Sequence, residues 1–415
     1  MSLPANHLSS CQEQGYQLLQ DKRKNIFLTG HAGSGKSFLT RHFLKNRDRK
    51  EFPVVASTGA AAVLVGGRTF HSFFGLGILE GGIGPTLHKA LKDRRLVKRL
   101  RAMEGFVLDE VSMISGPTFS VAELICRRAR ESSLPWGGAR AVVVGDFAQL
   151  PPVNVHGPCK EWAFLEDTWE QSNFVPVMLK SILRSEDEDY VEMLNFVRNG
   201  EVNETVRTYL DQRVEEDVSE SRSTHLFPHR HRAEQLNLQR LAEIESPAWQ
   251  FATRYAGNPM AIETLKKQAP IAELLQIKPS ALVMIRINDP AYRFVNGSVG
   301  TIQSIEEEKL TIVLKNRKVV ELEPCAFSIL DAEGEVLATA INFPIQLAYA
   351  TTIHKAQGAT LDSMVCDLRQ LWEPGQAYVA LSRLKSGDGL TLIGWDEASI
   401  RVDPQVREFY RGLAR

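Results

Sequence analysis

Apolar positions along the chain fall into short runs separated by stretches of helical spacing. Asn25–Gly30, Val54–Ser57, Phe106–Asp109 and Ala141–Gly145 are apolar runs too short for helices, and each ends in small or polar residues. Between them, Ser37–Leu44 and Thr118–Arg130 place apolar residues about every third or fourth position. A strand–helix rhythm of this kind predicts an α/β fold with a parallel sheet and crossover helices. A second cycle follows, with helices over Tyr190–Arg198, Val206–Gln212, Ala233–Ile244 and Gly375–Ser382, and strands over Thr224–Phe227, Met364–Leu368 and Leu390–Gly394. Phe294–Leu322 breaks the rhythm. Its β-type runs Thr301–Ile305, Lys309–Leu314 and Lys318–Leu322, with an Asn296–Gly297 turn, predict a small all-β insertion.

Composition narrows the class without naming a partner. The 415 residues suffice for two or three domains, and 43% apolar with 24% charged residues is ordinary for a globular chain. A net charge of −1 gives no global attraction for nucleic acid, so any such binding needs a local basic groove. Cys11, Cys126, Cys159, Cys325 and Cys366 are scattered with no CxxC pair, which fits a reducing milieu and argues against a zinc site. Met1–Ser10 lacks a basic-then-apolar leader, and no stretch approaches the ~20 apolar residues of a membrane helix. The expectation is a cytoplasmic protein, nucleoid-associated if bacterial, with no membrane partner.

The strongest chemical signal is Gly30-His-Ala-Gly33-Ser34-Gly35-Lys36-Ser37 between a strand and a helix. Glycines at these positions let backbone amides curl around phosphates, and the helix N-terminus adds partial positive charge. Lys36 then reaches the outer phosphates of ATP, and Ser37 can hold Mg²⁺. Phe106–Glu110 is an apolar strand ending in two acids at the sheet edge where open α/β folds bind ligands. Asp109 suits the Mg²⁺ and Glu110 the attacking water. Taken alone, such an acidic pair is as readily a solvated turn. Gln149, just past the next strand, is by itself an ordinary loop glutamine or a γ-phosphate sensor.

In order along the chain, these segments resemble one family, the petite-integration-frequency (Pif) helicases of superfamily 1, subgroup B. The resemblance runs from Leu8 to Trp395. It is carried by Leu8-Ser9-x-x-Gln12, the phosphate loop, Ala56–Ala61, Thr69–Phe73, Asp109–Met113, Gly145–Pro152, His354–Gly358 and Gln376–Arg383. Ser112–Gly138, with Arg127, Arg128 and Trp136, looks like the stretch separating this family from RecD-like helicases, and it reads equally as an amphipathic helix joining two strands. The resemblance implies two RecA-like domains, at 1–180 and 181–415. It also implies a wedge insertion at about 75–88 and an SH3-like β insertion at 290–343. Gln12 would read adenine, and Lys36, Asp109, Glu110 and Gln149 would act as described. Arg184 and Arg383 would approach the γ-phosphate from the second domain, although by residue type alone either reads as a surface ion pair and Arg184 the more so, and Gln357 and Gly358 would join the nucleotide site. His31 stands where the family has proline, Arg184 sits in Ile-Leu-Arg-Ser rather than Phe-Arg-Gln, and His229-Arg230-His231 replaces a small polar pair.

The family's track for single-stranded DNA would run past Thr58, His71, Phe73, Pro151, His354 and Lys355. Phe73 reads equally as a core residue, and Phe74 reads as core. Lys89–Arg101, rich in Lys and Arg, is either a groove wall or a solvated helix face, and His225, His229 and His231 are either a solvated loop or a metal cluster. The implied function is an ATP-dependent DNA helicase moving 5′ to 3′ on single strands and unwinding forked duplex, with G-quadruplexes or DNA–RNA hybrids as further substrates. Repair, replication or telomere maintenance would be its setting, and a monomer its form. RNA stays open as the track. Two rivals stand beside this reading: a DNA-stimulated ATPase that strips bound protein, and a nucleotide-gated single-strand binder.

Overall fold

The computed structural model describes residues 8–64, 67–77, 82–153, 159–218, 221, 223–289, 293–330 and 335–413. Its first sheet is built from β1 (Ile26–Gly30), β2 (Val54–Ala56), β3 (Arg68–Thr69), β4 (Gly105–Asp109), β5 (Arg140–Val144) and β6 (Val175–Leu179), in the order β3-β2-β4-β5-β1-β6. All pairings are parallel. Helices cover both faces, so β1 and β5 are buried along their whole length, and continuous apolar runs follow from that. β6, with Pro176 and alternating exposure, closes the edge.

A second parallel sheet has the order Ala350–Thr352, Thr224–Phe227, Met364–Leu368, Leu390–Trp395. The two sheets carry the α/β architecture expected. Between their strands lies a β module wider than the periodicity suggested. Its five-stranded antiparallel sheet runs Val319–Leu322, Leu310–Leu314, Val299–Ile305, Leu282–Ile285, Ile345–Leu347, so it begins before residue 290 and ends after 343. Asn296–Gly297 forms the expected turn, closed by Ser298 N donating to Val295 O at 2.9 Å, in the connection between two of these strands, of which residues 290–292 lie outside the described residues. A two-stranded ribbon (Trp249–Ala252 with Leu274–Ile277) and a three-stranded sheet (Cys325–Leu330, Val336–Asn342, Arg254–Gly257) complete the module. Of the expected wedge, residues 78–81 lie outside the described residues. The remainder is a turn entering the helix Ile83–Lys92.

The C-terminal helix, Pro404–Leu413, follows the second sheet in sequence yet packs on the first. Phe409 stacks on Phe164 at 4.3 Å and meets Phe27 and Phe147. Ser112–Gly138 forms the helix Gly116–Arg130 and a tight turn at Trp136–Gly137, where φ is 55° and 62°. The turn drives Trp136 into the core against Phe106, Phe119 and Phe74, with its indole N–H donating to Ser172 Oγ at 2.9 Å. Replacing Trp136 with Ala removes a fully buried indole and strands that acceptor. The expected loss is about 3–5 kcal/mol of stability, read from denaturant unfolding; a loss under ~1 kcal/mol contradicts the role of this turn as a core plug.

Candidate active site

β1 ends in Gly30, and the chain turns through the phosphate loop into the helix Lys36–Leu44. Gly33 and Gly35 have φ of +79° and +85°, and a Cβ at either would meet Arg184 Cβ at 2.6 Å or Gln12 Nε2 at 2.3 Å. Only glycine lets both neighbours approach so closely. Gln12 is fixed by a capping box with Ser9 and donates from Nε2 to Ser34 O at 3.3 Å, so the first helix is tied to the loop. Lys36 Nζ donates to Gly30 O (2.8 Å) and His31 O (3.1 Å), folding back over its own loop. Ser34 Oγ is buried with no protein partner. Such an orphaned hydroxyl inside an amide-lined turn fits an anionic ligand.

Asp109 closes β4, and Glu110 follows in the left-handed region (φ 56°, ψ 51°). That conformation costs a non-glycine residue about 1–3 kcal/mol, and here it turns the carboxylate into the cleft between the sheets. Gln357 Nε2 reaches from the second domain and donates to Glu110 Oε2 at 3.3 Å. Burial and the neighbouring Glu110 push the Asp109 carboxyl up to about 7, and burial raises Glu110 too, opposed by Lys36 and Arg383.

The second domain supplies the rest. Arg383 is 2% exposed, its guanidinium held by the carbonyls of Val379 (2.7 Å) and Ala356 (3.4 Å) and by Ser382 Oγ (2.7 Å). Burial, with Arg184 close by, depresses it to about 9. Arg184 lies over Gly33 and donates from Nη1 to Ser382 O at 2.5 Å. Two arginines are thus desolvated side by side at the mouth of the phosphate loop. That arrangement is unfavourable until an anion enters. Gln149 is 5% exposed, and Gly375 packs against its carbonyl, a Cβ there lying 2.5 Å from Gln149 O. Ser37 is exposed at the helix start, and Gly358 is exposed beside Gln357.

Some participants carried no sequence signal of their own. Tyr378 hydroxyl accepts from Ala32 N at 2.8 Å, touching the phosphate loop from across the cleft. Asp146 and Arg198 form a buried two-pronged pair (2.8 and 3.1 Å). Tyr410 hydroxyl donates to Asp146 Oδ1 (3.0 Å), accepts from Phe147 N (3.0 Å) and meets Thr29 Oγ1 (2.9 Å). The pairing holds Asp146 down to about 2. Tyr378 and Asp146 lie inside segments that carry the family resemblance, but Arg198 and Tyr410 lie far from any of them.

Of the residues expected on the nucleic-acid track, His354 and Lys355 are exposed and His71 and Thr58 half-buried, Thr58 Oγ1 accepting from Ala61 N at 3.2 Å. Its own partial burial, and then the like charges of Arg230 and Arg286, lower Lys355 below the usual lysine range. Pro151 is buried. Phe73 requires correction. At 2% exposure, its ring packs edge-on to Phe74 beneath the Arg99 guanidinium, so it belongs to the core and is not offered to a base. His229 stacks on Trp372 at 4.8 Å, and among the described residues no group of three His, Cys, Asp or Glu side chains is placed to hold a metal.

A phosphate loop and acidic strand end on one parallel sheet, met by Arg383 from the second sheet's domain and by Arg184 from the segment that leaves β6, define a P-loop NTPase of the two-domain motor class. A family model described as PIF1-like helicase matches residues 7–208. The ATP-dependent DNA helicase Pif1 of Bdellovibrio bacteriovorus is 51% identical over 410 residues, covering 99% of this chain and 93% of that protein. Human ATP-dependent DNA helicase PIF1 is 33% identical over 422 residues, covering 100% of this chain and 65% of that protein. Among solved structures, Bacteroides sp Pif1 in complex with ADP-AlF4 matches with a TM-score of 0.87 at 27% identity, covering 98% of this chain and 97% of that one. Candida albicans Pif1 matches at 0.78 and 29%, covering 98% and 99%. The chain belongs to the PIF1-like helicase family.

The acidic pair has a measurable consequence. A carboxyl raised from 3.8 to about 7 binds a proton in the folded, nucleotide-free protein that the unfolded chain has released, so stability falls as pH rises through that window. Asp109→Asn removes the titrating group. The melting temperature of the nucleotide-free variant should therefore decline less than that of the parent between about pH 4 and pH 7; parallel curves contradict the assignment.

Proposed function

We propose that the chain is an ATP-dependent DNA helicase that moves 5′ to 3′ along single-stranded DNA, using ATP binding to draw its two sheets together. The observation that carries the ATP-driven part of this is the shared site, while the polarity comes from the family resemblance. Glu110 of the first sheet lies within electrostatic reach of Lys36 and Arg383 and hydrogen-bonds Gln357, so one nucleotide touches both domains. Bound ATP relieves the repulsion between Arg184 and Arg383, and hydrolysis removes the group that joined them, freeing the cleft to open. Arginines delivered to a γ-phosphate in this way contribute on the order of 10³–10⁵ in rate. Glu110 orients and deprotonates the attacking water.

Ser37 and Asp109 suit Mg²⁺, since a dication would offset the repulsion between the carboxylates of Asp109 and Glu110. When bound, it neutralises charge on the outer phosphates. Thr58, His71, His354 and Lys355 form the track, with the exposed Lys355 meeting phosphate. The relatives support DNA as that track. A Bacteroides Pif1 structure is described as bound to ssDNA, and another as two coordinating helicases at forked dsDNA. The Bacteroides structures match this chain at TM-scores of 0.87 with ADP-AlF4 and 0.67 with ssDNA.

Unwinding of matched forks with only a 5′ or only a 3′ single-stranded tail tests the direction. The 5′-tailed fork should open with ATP and the 3′-tailed fork should not; the reverse result overturns the polarity. Glu110→Gln should bind ATP at parental affinity and lose turnover by at least ~100-fold, and undiminished turnover removes Glu110 as the base. Lys355→Ala should make the salt dependence of single-strand binding shallower by about 0.7, one phosphate contact, and an unchanged slope removes Lys355 from the track.

A further inference from the structure

The helices Ile83–Lys92 and Arg94–Ala102 form a corner that buries Thr86, Ala90, Leu96 and Leu100. Their outer face carries Lys89, Lys92, Arg94, Arg95 and Lys98, all exposed and none in an ion pair among the described residues. The one acid between them, Asp93, is engaged as a helix cap, accepting from Arg95 N (2.9 Å) and Leu96 N (3.2 Å). Other cations of the segment are engaged elsewhere: Arg99 donates to Phe73 O at 2.5 Å, and Arg101 pairs with Glu131. Two of the free ones, Arg94 and Lys98, with Arg101, wall a shallow groove of about 560 Å³ whose floor is Leu91, Val97 and Ala102.

This face is electrostatically uncomfortable by itself. Arg94 and Arg95 sit in the first turn of their helix, where the backbone dipole disfavours cations, and no acid shares that turn. Arg94 and Lys98 are one turn apart and repel. A face shaped only for solubility mixes both signs, and the whole chain does so, with 49 Lys and Arg against 50 Asp and Glu. An external polyanion is what would neutralise this one.

We infer that the outer face of these two helices is a binding surface for the phosphate backbone of duplex DNA. The inference rests on the helicase reading above and adds a second nucleic-acid surface to it. The residues favour a duplex over a single strand. Single-strand sites interleave cations with aromatic platforms for base faces, and none of the groove-lining residues is aromatic. A duplex hides its base faces and presents one charge per about 1.7 Å of axis, which rows of exposed cations can read without sequence preference. Position agrees. Gly75, where the expected wedge begins, abuts this corner, a Cβ there meeting Leu96 Cδ1 at 2.5 Å and Ala90 Cβ at 3.6 Å. Through Arg99 and Phe73 O, the corner is also tied to the short helix carrying His71. Duplex arriving at the junction would lie along the groove while its displaced strand enters the cleft.

The test is a combined variant, Lys89→Gln, Lys92→Gln, Arg94→Gln, Arg95→Gln and Lys98→Gln, in the full chain. Binding of a blunt duplex and of an unstructured single strand is followed by fluorescence anisotropy from about 50 to 200 mM salt. If about three of the cations each meet a phosphate, the duplex slope becomes shallower by about 2.7, and duplex affinity falls at least ~10-fold near 100 mM salt. Single-strand affinity and single-strand-stimulated ATPase should stay at parental values. The variant should melt close to the parent, because relief at the helix start from Arg94→Gln and Arg95→Gln offsets the favourable last-turn cations lost at Lys89 and Lys92. An unchanged duplex slope overturns the inference, and so does an equal loss on the single strand, which would make the face part of the track. Absence of single-strand stimulation in the parent protein would overturn the helicase reading itself, separating the two failures.

Discussion

Positive charge held out of water at the seam between two sheets is the constraint around which the molecule is organised. Lys36, Arg184 and Arg383 converge there with Asp109 and Glu110, and the arginines repel each other in a desolvated site. A protein interior tolerates such a cluster only if an anion completes it or if the parts can separate. A nucleotide motor needs both conditions in turn. Under the proposed function, a bound nucleotide would complete the seam and its loss would leave the cations unpaired, the alternation a stepping enzyme transmits to its track.

The rest of the fold keeps that seam aligned without locking it. On the first-domain side, Asp146 and Arg198 form a well-satisfied buried pair capped by Tyr410, so the base of the phosphate loop and the strand end after β5 are braced by the C-terminal helix. Aromatic packing of Phe409 against Phe164, Phe27 and Phe147 holds that helix in place. On the other side, Arg383 is gripped by carbonyls of its own domain, which aim it while leaving charge for a ligand. Contacts that cross the seam near the nucleotide site include polar ones, Tyr378 to Ala32 N, Gln357 to Glu110 and Arg184 to Ser382 O, with Gly375 against Gln149. Hydrogen bonds of this sort each contribute only about 0.5–1.5 kcal/mol net, and a shared apolar cluster reaching from Phe27 and Phe147 to Tyr378 and Leu381 adds to them.

The basic corner at Ile83–Ala102 follows the same logic at the surface, with charge left unneutralised where a polyanion would arrive. Its neighbour Phe73 shows how local context redirects a residue. The sequence left it between a base platform and core packing. Arg99 settles the matter by lying over the ring and bonding the Phe73 carbonyl, which seals it inside.

Elements with strong local signals were legible before any coordinates. The glycine spacing of the phosphate loop is dictated by backbone geometry around phosphate, and the apolar strands β1, β4 and β5 by burial on both faces, so short-range sequence determined them. The parallel α/β class followed from their rhythm, and the nucleotide residues from their position at strand ends. Strand β6 with its proline and the short exposed strands of the β module carry weak local preference and were placed by long-range pairing, while the seat of the helix Pro404–Leu413 on the first sheet was decided by aromatic packing. The Asp146–Arg198–Tyr410 network joins residues separated by 52 and 264 positions. No spacing rule reaches that far, since an ion pair becomes specific only when the fold excludes water from both partners. Sequence by itself determined which groups handle the nucleotide; tertiary structure decided which of them meet, because desolvation and proximity are properties of the folded chain.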